Sequence, residues 1–211
     1  MRRLVLATRN KNKLVELERI LAAAGLVGPD AVELLGPEVY ATLPEIPETG
    51  ATFAENSLIK ARAVAAATGL PSIADDSGLC VDALNGMPGI FSARWSGRYG
   101  DLPDGPGRDV TNLRLVLDQV ADVADGDRGA NFTCAAALVL PDGTEHVVEG
   151  RVVGRLLRAP RGSNGHGYDP IFVPEGETLT TAEMAAEEKD ALSHRGRAFR
   201  ALVPLLRELG G

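Results

Sequence analysis

The sequence predicts an α/β fold built on a mixed sheet, and three observations carry that prediction. Short apolar runs suited to buried strands alternate with stretches of helical period through the amino-terminal part. Pro141-Asp142-Gly143 is a turn signal between two strand-like runs, and such a hairpin excludes a wholly parallel sheet. The last third returns to helical patterning, and no repeat or composition shift marks a linker, so residues 1–211 read as a single domain.

The first strand is Leu4-Val5-Leu6-Ala7, followed by the polar, basic turn from Thr8 to Lys13. Leu14, Leu17, Ile20, Leu21 and Ala24 then recur with helical period, and Gly25 supplies the stop. Residues 26–50 read as irregular segments and short strands. Thr52-x-x-Glu55 has capping-box spacing and opens a helix that Gly69 and Pro71 end. Ser72-Ile73-Ala74 reads as a short strand running into Asp75-Asp76-Ser77-Gly78, and Asn85-Gly86 marks a tight turn. Gly97 to Asp109 reads as a surface loop, with Thr111 capping the next helix. Phe132–Leu140 and Thr144–Leu157 form the hairpin, and Ile171-Phe172-Val173 a further strand. A short helix is expected near Thr181 and a longer one after Ser193, kinked or cut short at Pro204.

Composition bounds the function. Hydrophobic residues make up 45% of the 211, enough for a real core, and no apolar run approaches the roughly 18 residues of a membrane span. Lys and Arg total 22 against 29 Asp and Glu, a net charge of −7, so no global attraction for nucleic acid or an anionic membrane is expected. A phosphorylated small molecule would need a local cationic pocket or a bridging divalent metal. Cys80 and Cys134 have no ligand spacing and read as reduced thiols of a cytoplasmic protein. Walker A, G-x-G-x-x-G and G-x-S-x-G signatures are all absent.

Four clusters remain. Thr8-Arg9-Asn10-Lys11-Asn12-Lys13 joins a strand end to a helix start, where N–H groups, a hydroxyl, an amide and an ammonium can hold phosphate oxygens. Asp75 and Asp76, with Glu48 upstream, are an acidic group suited to magnesium. Successive strand residues point to opposite faces, so the two aspartates need not play the same part, and one is free to ligate metal while the other positions a water. Glu55 is explained by the capping box and is left out of the metal site. Gly165-His166-Gly167-Tyr168-Asp169-Pro170 allows backbone close to a flat ligand and offers a ring and an acceptor. Lys189 and then His194-Arg195 at a helix start form the fourth; a cation there breaks the local dipole rule and so points to function.

Eight motifs occur in order: Thr8-x-Asn10-x-x-Lys13, Phe53-x-Glu55-Asn56, Lys60-Ala61, Ala74-Asp75-Asp76-Ser77-Gly78, Pro88-Gly89, Ser92-Ala93-Arg94, Gly167-Tyr168-Asp169-Pro170 and Ser193-His194-Arg195. Together they closely resemble the inosine triphosphate pyrophosphatase family, the bacterial XTP/dITP diphosphatases. The resemblance covers nearly the whole chain. It implies an α/β fold with a long, mixed central sheet flanked by helices, two lobes with a cleft between them, a homodimer, and a Mg²⁺ requirement. It implies hydrolysis of ITP, dITP and XTP to the monophosphate and pyrophosphate. Thr8 to Lys13 would hold the triphosphate with Lys60 nearby, Asp76 would be the general base, and Glu48 with Asp75 or Asp76 the metal site. Ser77 would contact substrate, while His166, Gly167, Tyr168, Asp169, Lys189, His194 and Arg195 would form the base and sugar pocket. Departures are His166 where relatives often carry Phe, Trp95 where Tyr is frequent, a longer Gly97–Asp109 loop, and Pro47 beside Glu48. The competing readings are a Maf-like pyrophosphatase of other nucleotides and a non-catalytic nucleotide-binding module.

Overall fold

The computed structural model describes residues 2–26, 32–97 and 106–208. In chain order the elements are β1 (Arg2–Leu6), α1 (Lys11–Ala23), β2 (Val32–Leu35), α2 (Phe53–Thr68), β3 (Ser72–Val81), α3 (Pro106–Gln119), β4 (Gly129–Val139), β5 (Glu145–Leu156), β6 (Phe172–Pro174), α4 (Ala186–Leu192) and α5 (His194–Glu208). The strands form a six-stranded sheet in the order β2-β1-β3-β4-β5-β6. β1 runs parallel to β2 and β3, whereas β5 and β6 are antiparallel. The expected mixed α/β architecture is therefore present.

The chain divides into two compact units. The first comprises residues 1–76, 134–150 and 194–211, and the second residues 77–133 and 151–193.

In the first unit the strand period of two sorts side chains onto two helical layers. Leu4, Leu6, Ile73, Ala136 and Leu138 pack with Leu17, Ile20 and Leu21 of α1 and Phe199, Leu202 and Leu206 of α5. Their sequence neighbours Val5, Ala7, Ala74, Ala137 and Val139 pack with Ala61, Val64 and Ala65 of α2 and with Tyr40. Local signals close the helices as expected. Gly25 ends α1 with φ +70, and Gly69 ends α2 with φ +66 while donating to the Ala65 carbonyl. Thr52 accepts from the Glu55 amide at 3.1 Å, and the Glu55 carboxylate accepts from the Ala51 amide at 2.6 Å, so both side chains serve the helix start.

The second unit has its own core, in which Leu79, Val81, Leu113, Val116, Val120, Phe132 and Phe172 are buried together. Phe132 and Phe172 meet edge to face at 4.8 Å. Buried Arg128 is satisfied by the carbonyls of Leu156, Val120 and Leu157.

Several boundaries differ from expectation. β3 is one ten-residue strand, so Asp75 and Asp76 lie within a strand and not at its end. α3 already begins at Pro106: the Thr111 hydroxyl donates to the Gly107 carbonyl inside the helix, and Asp109 belongs to its first turn. Residues 98–105 of the expected loop, like Leu209, lie outside the described residues. The helix expected near Thr181 starts at Ala186, because the Thr181 hydroxyl is engaged by Asp169. α5 continues through Pro204 to Glu208; Leu202, Val203 and Leu206 are buried on either side of the proline, and this packing outweighs the local backbone penalty.

Gly150 of β5 sets the approach of α5. A Cβ there would run into the His194 carbonyl oxygen and lie 2.5 Å from the Ala198 nitrogen. Gly150→Ala is expected to lower stability by about 1–3 kcal/mol through overpacking. Urea unfolding checks this, and an unchanged midpoint would refute so close an approach.

Candidate active site

β1 delivers the chain into the turn that precedes α1. Asn10 caps this helix, its side-chain oxygen accepting from the Lys13 amide at 3.3 Å, while the Thr8 hydroxyl oxygen accepts from the Asn10 amide at 3.2 Å. Arg9, Asn10 and Lys11 are exposed and Thr8 and Lys13 half-buried; the Asn12 side chain lies outside the described residues. A helix start with its first N–H groups and several cations thus follows β1 directly in the first unit.

The alternation along β3 then separates the two aspartates. Asp75 shares the face of Ile73, and its Oδ2 accepts from the Lys13 ammonium at 2.9 Å and from the Arg195 Nε at 3.2 Å. The Cys134 thiol donates to the same oxygen at 3.9 Å. Arg195 is 3% exposed, and its other arm donates to Glu16 of α1 at 2.5 Å. Burial alone would push the Asp75 carboxyl up, but Lys13, Arg195 and Lys60 more than offset this and hold it well below the usual carboxylate range. Burial and the nearby Asp75 carboxylate push the Cys134 thiol up, so it stays protonated. Oδ1 of Asp75 and Oε1 of Glu16 are buried without a hydrogen-bond partner among the described residues.

Asp76 shares the face of Ala74 and meets α2. Its Oδ2 accepts from the Asn56 amide at 3.0 Å, and its Oδ1 lies 3.7 Å from the Lys60 ammonium. Lys60 in turn donates to Glu48 at 2.7 Å. Asn56 is held by the Gly50 amide, which donates to its side-chain oxygen at 2.8 Å and so ties the Glu48 segment to the same site. Burial raises the Asp76 pKa and Glu48 adds to the rise, while Lys60, Lys13 and Asn56 oppose it. Lys60 is driven down by burial but held up by Asp75, Asp76 and Glu48, with a net upward shift.

The chemistry of these donors tests the expected metal site. Among the described residues no group of three or more His, Cys, Asp or Glu side chains is arranged to hold an ion. Oδ2 of Asp75 is committed to Lys13 and Arg195 on the other face of the sheet, while its Oδ1 is the oxygen without a hydrogen-bond partner among the described residues. Glu48 and Asp76 do fit, as two carboxylates that share the Lys60 ammonium between them. Magnesium favours one or two carboxylates completed by phosphate oxygens and water.

In the second unit the predicted loop is organised around Asp169. Its Oδ2 accepts from the His166 amide at 2.8 Å and from the Lys189 ammonium at 2.6 Å, and its Oδ1 accepts from the Thr181 hydroxyl at 2.8 Å. A Cβ on Gly165, where φ is +75, would strike the Asp169 carboxylate and come within 3.0 Å of the Lys189 nitrogen. Tyr168 is buried with its hydroxyl donating to the Ser92 carbonyl at 2.8 Å, so its side chain faces the core and anchors the loop. The Gly167 amide donates to Asp109 at 2.9 Å, and Ser77 is half-buried on β3.

The Ham1 family model matches residues 4–205. The chain belongs to the Ham1 family. The resemblance seen in the eight ordered motifs is thereby borne out. A dITP/XTP pyrophosphatase of Streptomyces coelicolor is 62% identical over 211 residues, covering all of both chains. The crystal structure of a nucleoside-triphosphatase, dITP/XTP pyrophosphatase, from Mycobacterium abscessus is 53% identical with a TM-score of 0.73, covering 97% of this chain and 100% of that one. A HAM1 protein from Coxiella burnetii is 38% identical with a TM-score of 0.84, covering 99% of this chain and 100% of its own.

Sequence reasoning passed over Glu16 as an individual residue. Lys13 and Glu16 occupy positions of the stripe continued by Leu17, Ile20, Leu21 and Ala24, and two charges within an apolar stripe are a signal for a buried ion pair. Breaking that pair leaves an uncompensated buried charge. Arg195→Ala is expected to destabilise this Ham1 protein by about 3–5 kcal/mol. Arg62→Ala, which removes a surface contact to Glu145, should lower stability by less than about 1 kcal/mol. Denaturant unfolding of the two variants would disprove the buried pairing if Arg195→Ala were no worse than Arg62→Ala.

Proposed function

We propose that this protein hydrolyses non-standard purine nucleoside triphosphates, ITP, dITP and XTP, to the nucleoside monophosphate and pyrophosphate. Its relatives carry the names of dITP/XTP pyrophosphatases over their full lengths. The observation that carries the reading within this structure is Asp76. Its carboxylate is oriented by Asn56, flanked by Lys60 and Glu48, and pushed by burial towards the pKa a general base needs near neutral pH.

In this reading the Thr8–Lys13 turn and Lys60 bind the phosphate chain through N–H groups and ammonium charge. Asp76 orients a water towards the α-phosphorus and takes its proton as the new P–O bond forms. The bond from that phosphorus to the bridging oxygen breaks, and pyrophosphate leaves. Glu48 and Asp76 would hold a Mg²⁺ ion, which when bound supplies charge neutralisation on the phosphates. Asp75 holds Lys13 in place from the opposite face. His166, Gly167, Tyr168, Asp169, Lys189, His194, Arg195 and Ser77 are assigned to the base and sugar on the family resemblance. Donors facing purine position 6 would favour the oxygen of hypoxanthine and xanthine over the amine of adenine, and a hydrogen-bonded site can reject the wrong partner by about 10⁴-fold. Family likeness supports a homodimer, and two free cysteines fit a cytoplasmic setting. No helix among the described residues is long and apolar enough to cross a membrane.

Asp76→Asn is expected to reduce dITP turnover by at least about a hundredfold with an unchanged unfolding midpoint. Chelation should stop the wild-type enzyme, and added Mg²⁺ should restore it. Phosphorus NMR of the products decides the reaction: orthophosphate in place of pyrophosphate, or ATP turned over as fast as dITP, would overturn the proposal.

A further inference from the structure

Residues 37–43 form a bracket around the exit from β1. The short 3₁₀ turn Pro37–Tyr40 begins after Gly36, whose amide donates to the Glu38 carboxylate at 2.6 Å. It ends at Tyr40, which is 4% exposed. The Tyr40 hydroxyl lies 3.0 Å from the Leu6 carbonyl oxygen and 3.1 Å from that of Thr8, so one proton is shared between the two carbonyls that flank Ala7. The Arg9 guanidinium stands over the Tyr40 ring, 5.9 Å from its centroid, and donates to the Leu43 carbonyl. The Leu43 amide donates back to the Tyr40 carbonyl at 2.9 Å, which closes the bracket.

We propose that Tyr40 is a positioning residue for the oligophosphate-binding turn: its hydroxyl sets the Thr8 backbone, and its ring holds the Arg9 charge beside that turn. This rests on the proposed function only in reading Thr8–Lys13 as a phosphate site. Tyr40 acts through Thr8 and Arg9 and reaches the phosphates through neither ring nor hydroxyl. A residue that served the core alone would affect stability and leave anion affinity untouched. Tyr40 does pack with Val5, Ala61 and Ala74, and the two roles must therefore be separated by measurement.

Tyr40→Phe keeps the ring and removes the hydroxyl, while Tyr40→Leu removes both. Calorimetric titration of the full chain with inorganic tripolyphosphate in magnesium buffer reads the turn without the nucleoside. Tyr40→Phe is expected to weaken tripolyphosphate binding about five- to tenfold, the worth of one hydrogen bond. KM for dITP should rise by a similar factor while kcat stays within about twofold, the pattern for lost binding that is not specific to the transition state. Tyr40→Leu should weaken the titration further, because Arg9 loses its platform. Unchanged tripolyphosphate affinity in Tyr40→Phe would overturn the inference, as would a melting transition that falls to the assay temperature or a wild-type protein with no affinity for tripolyphosphate. A wild type that binds tripolyphosphate yet leaves dITP intact would refute the proposed function and leave the comparison at Tyr40 readable.

Discussion

The alternation of side chains along β3 is the constraint on which the candidate site depends. Ile73 and Asp75 face α1 and α5, while Ala74 and Asp76 face α2. Two adjacent carboxylates would repel if they shared one pocket. On opposite faces they acquire different partners, opposite pKa shifts and different roles. Asp75 becomes a permanent anion that fixes two cations. Asp76 becomes a carboxylate whose proton affinity is raised by burial. A one-residue slip of β3 would exchange these environments, so the strand register decides which carboxylate is paired with which cations.

The Asp75 side holds a chain of charges, Lys13–Asp75–Arg195–Glu16, that joins α1, β3 and α5 in one unit. Such a network is not there for stability as such, since apolar side chains of similar volume would often serve as well or better. What it provides is geometry. Lys13 sits within the apolar stripe of α1, and Asp75 is the group that fixes its ammonium. Lys13 and then Arg195 keep that carboxylate ionised against its burial, and Glu16 balances Arg195 in turn. The thiol of Cys134 beside the same oxygen stays protonated and adds a weak donor in place of another charge.

Much of this was legible in the sequence where the signal is local. Capping at Thr52, the stops at Gly25 and Gly69, the Asn85-Gly86 turn and the alternation that divides Asp75 from Asp76 all follow from spacing alone. What escaped were features that depend on distant partners. The β3 strand continues through Asp75–Gly78, where lysine, arginine and asparagine from three helices engage its carboxylates, and a strand ended at Ala74 leaves those distant partners out. Tyr40 lies in a stretch without periodicity, and its role is set by carbonyls 32 and 34 positions away. Arg195 was legible as an anomaly at a helix start, and the partners that explain its burial lie in α1 and β3.

Charge balance links the two faces to the chemistry. The chain carries a net −7 and yet is suited to a guest with several negative charges. On the Asp75 face the cations are already committed to carboxylates, so they shape the turn more than they neutralise it. On the Asp76 face the Lys60 ammonium lies between Glu48 and Asp76. A phosphate chain brought there would meet excess negative charge unless another cation came with it. The exposed Arg9 and Lys11 offset part of that from the turn, but they sit in high dielectric where each charge is worth little. In the proposed function a divalent ion delivered with the phosphates would offset that charge at half-buried Glu48 and buried Asp76, where the dielectric is lower than in bulk water. The Mg²⁺ of the proposed function thus has a physical reason in two carboxylates that share the Lys60 ammonium.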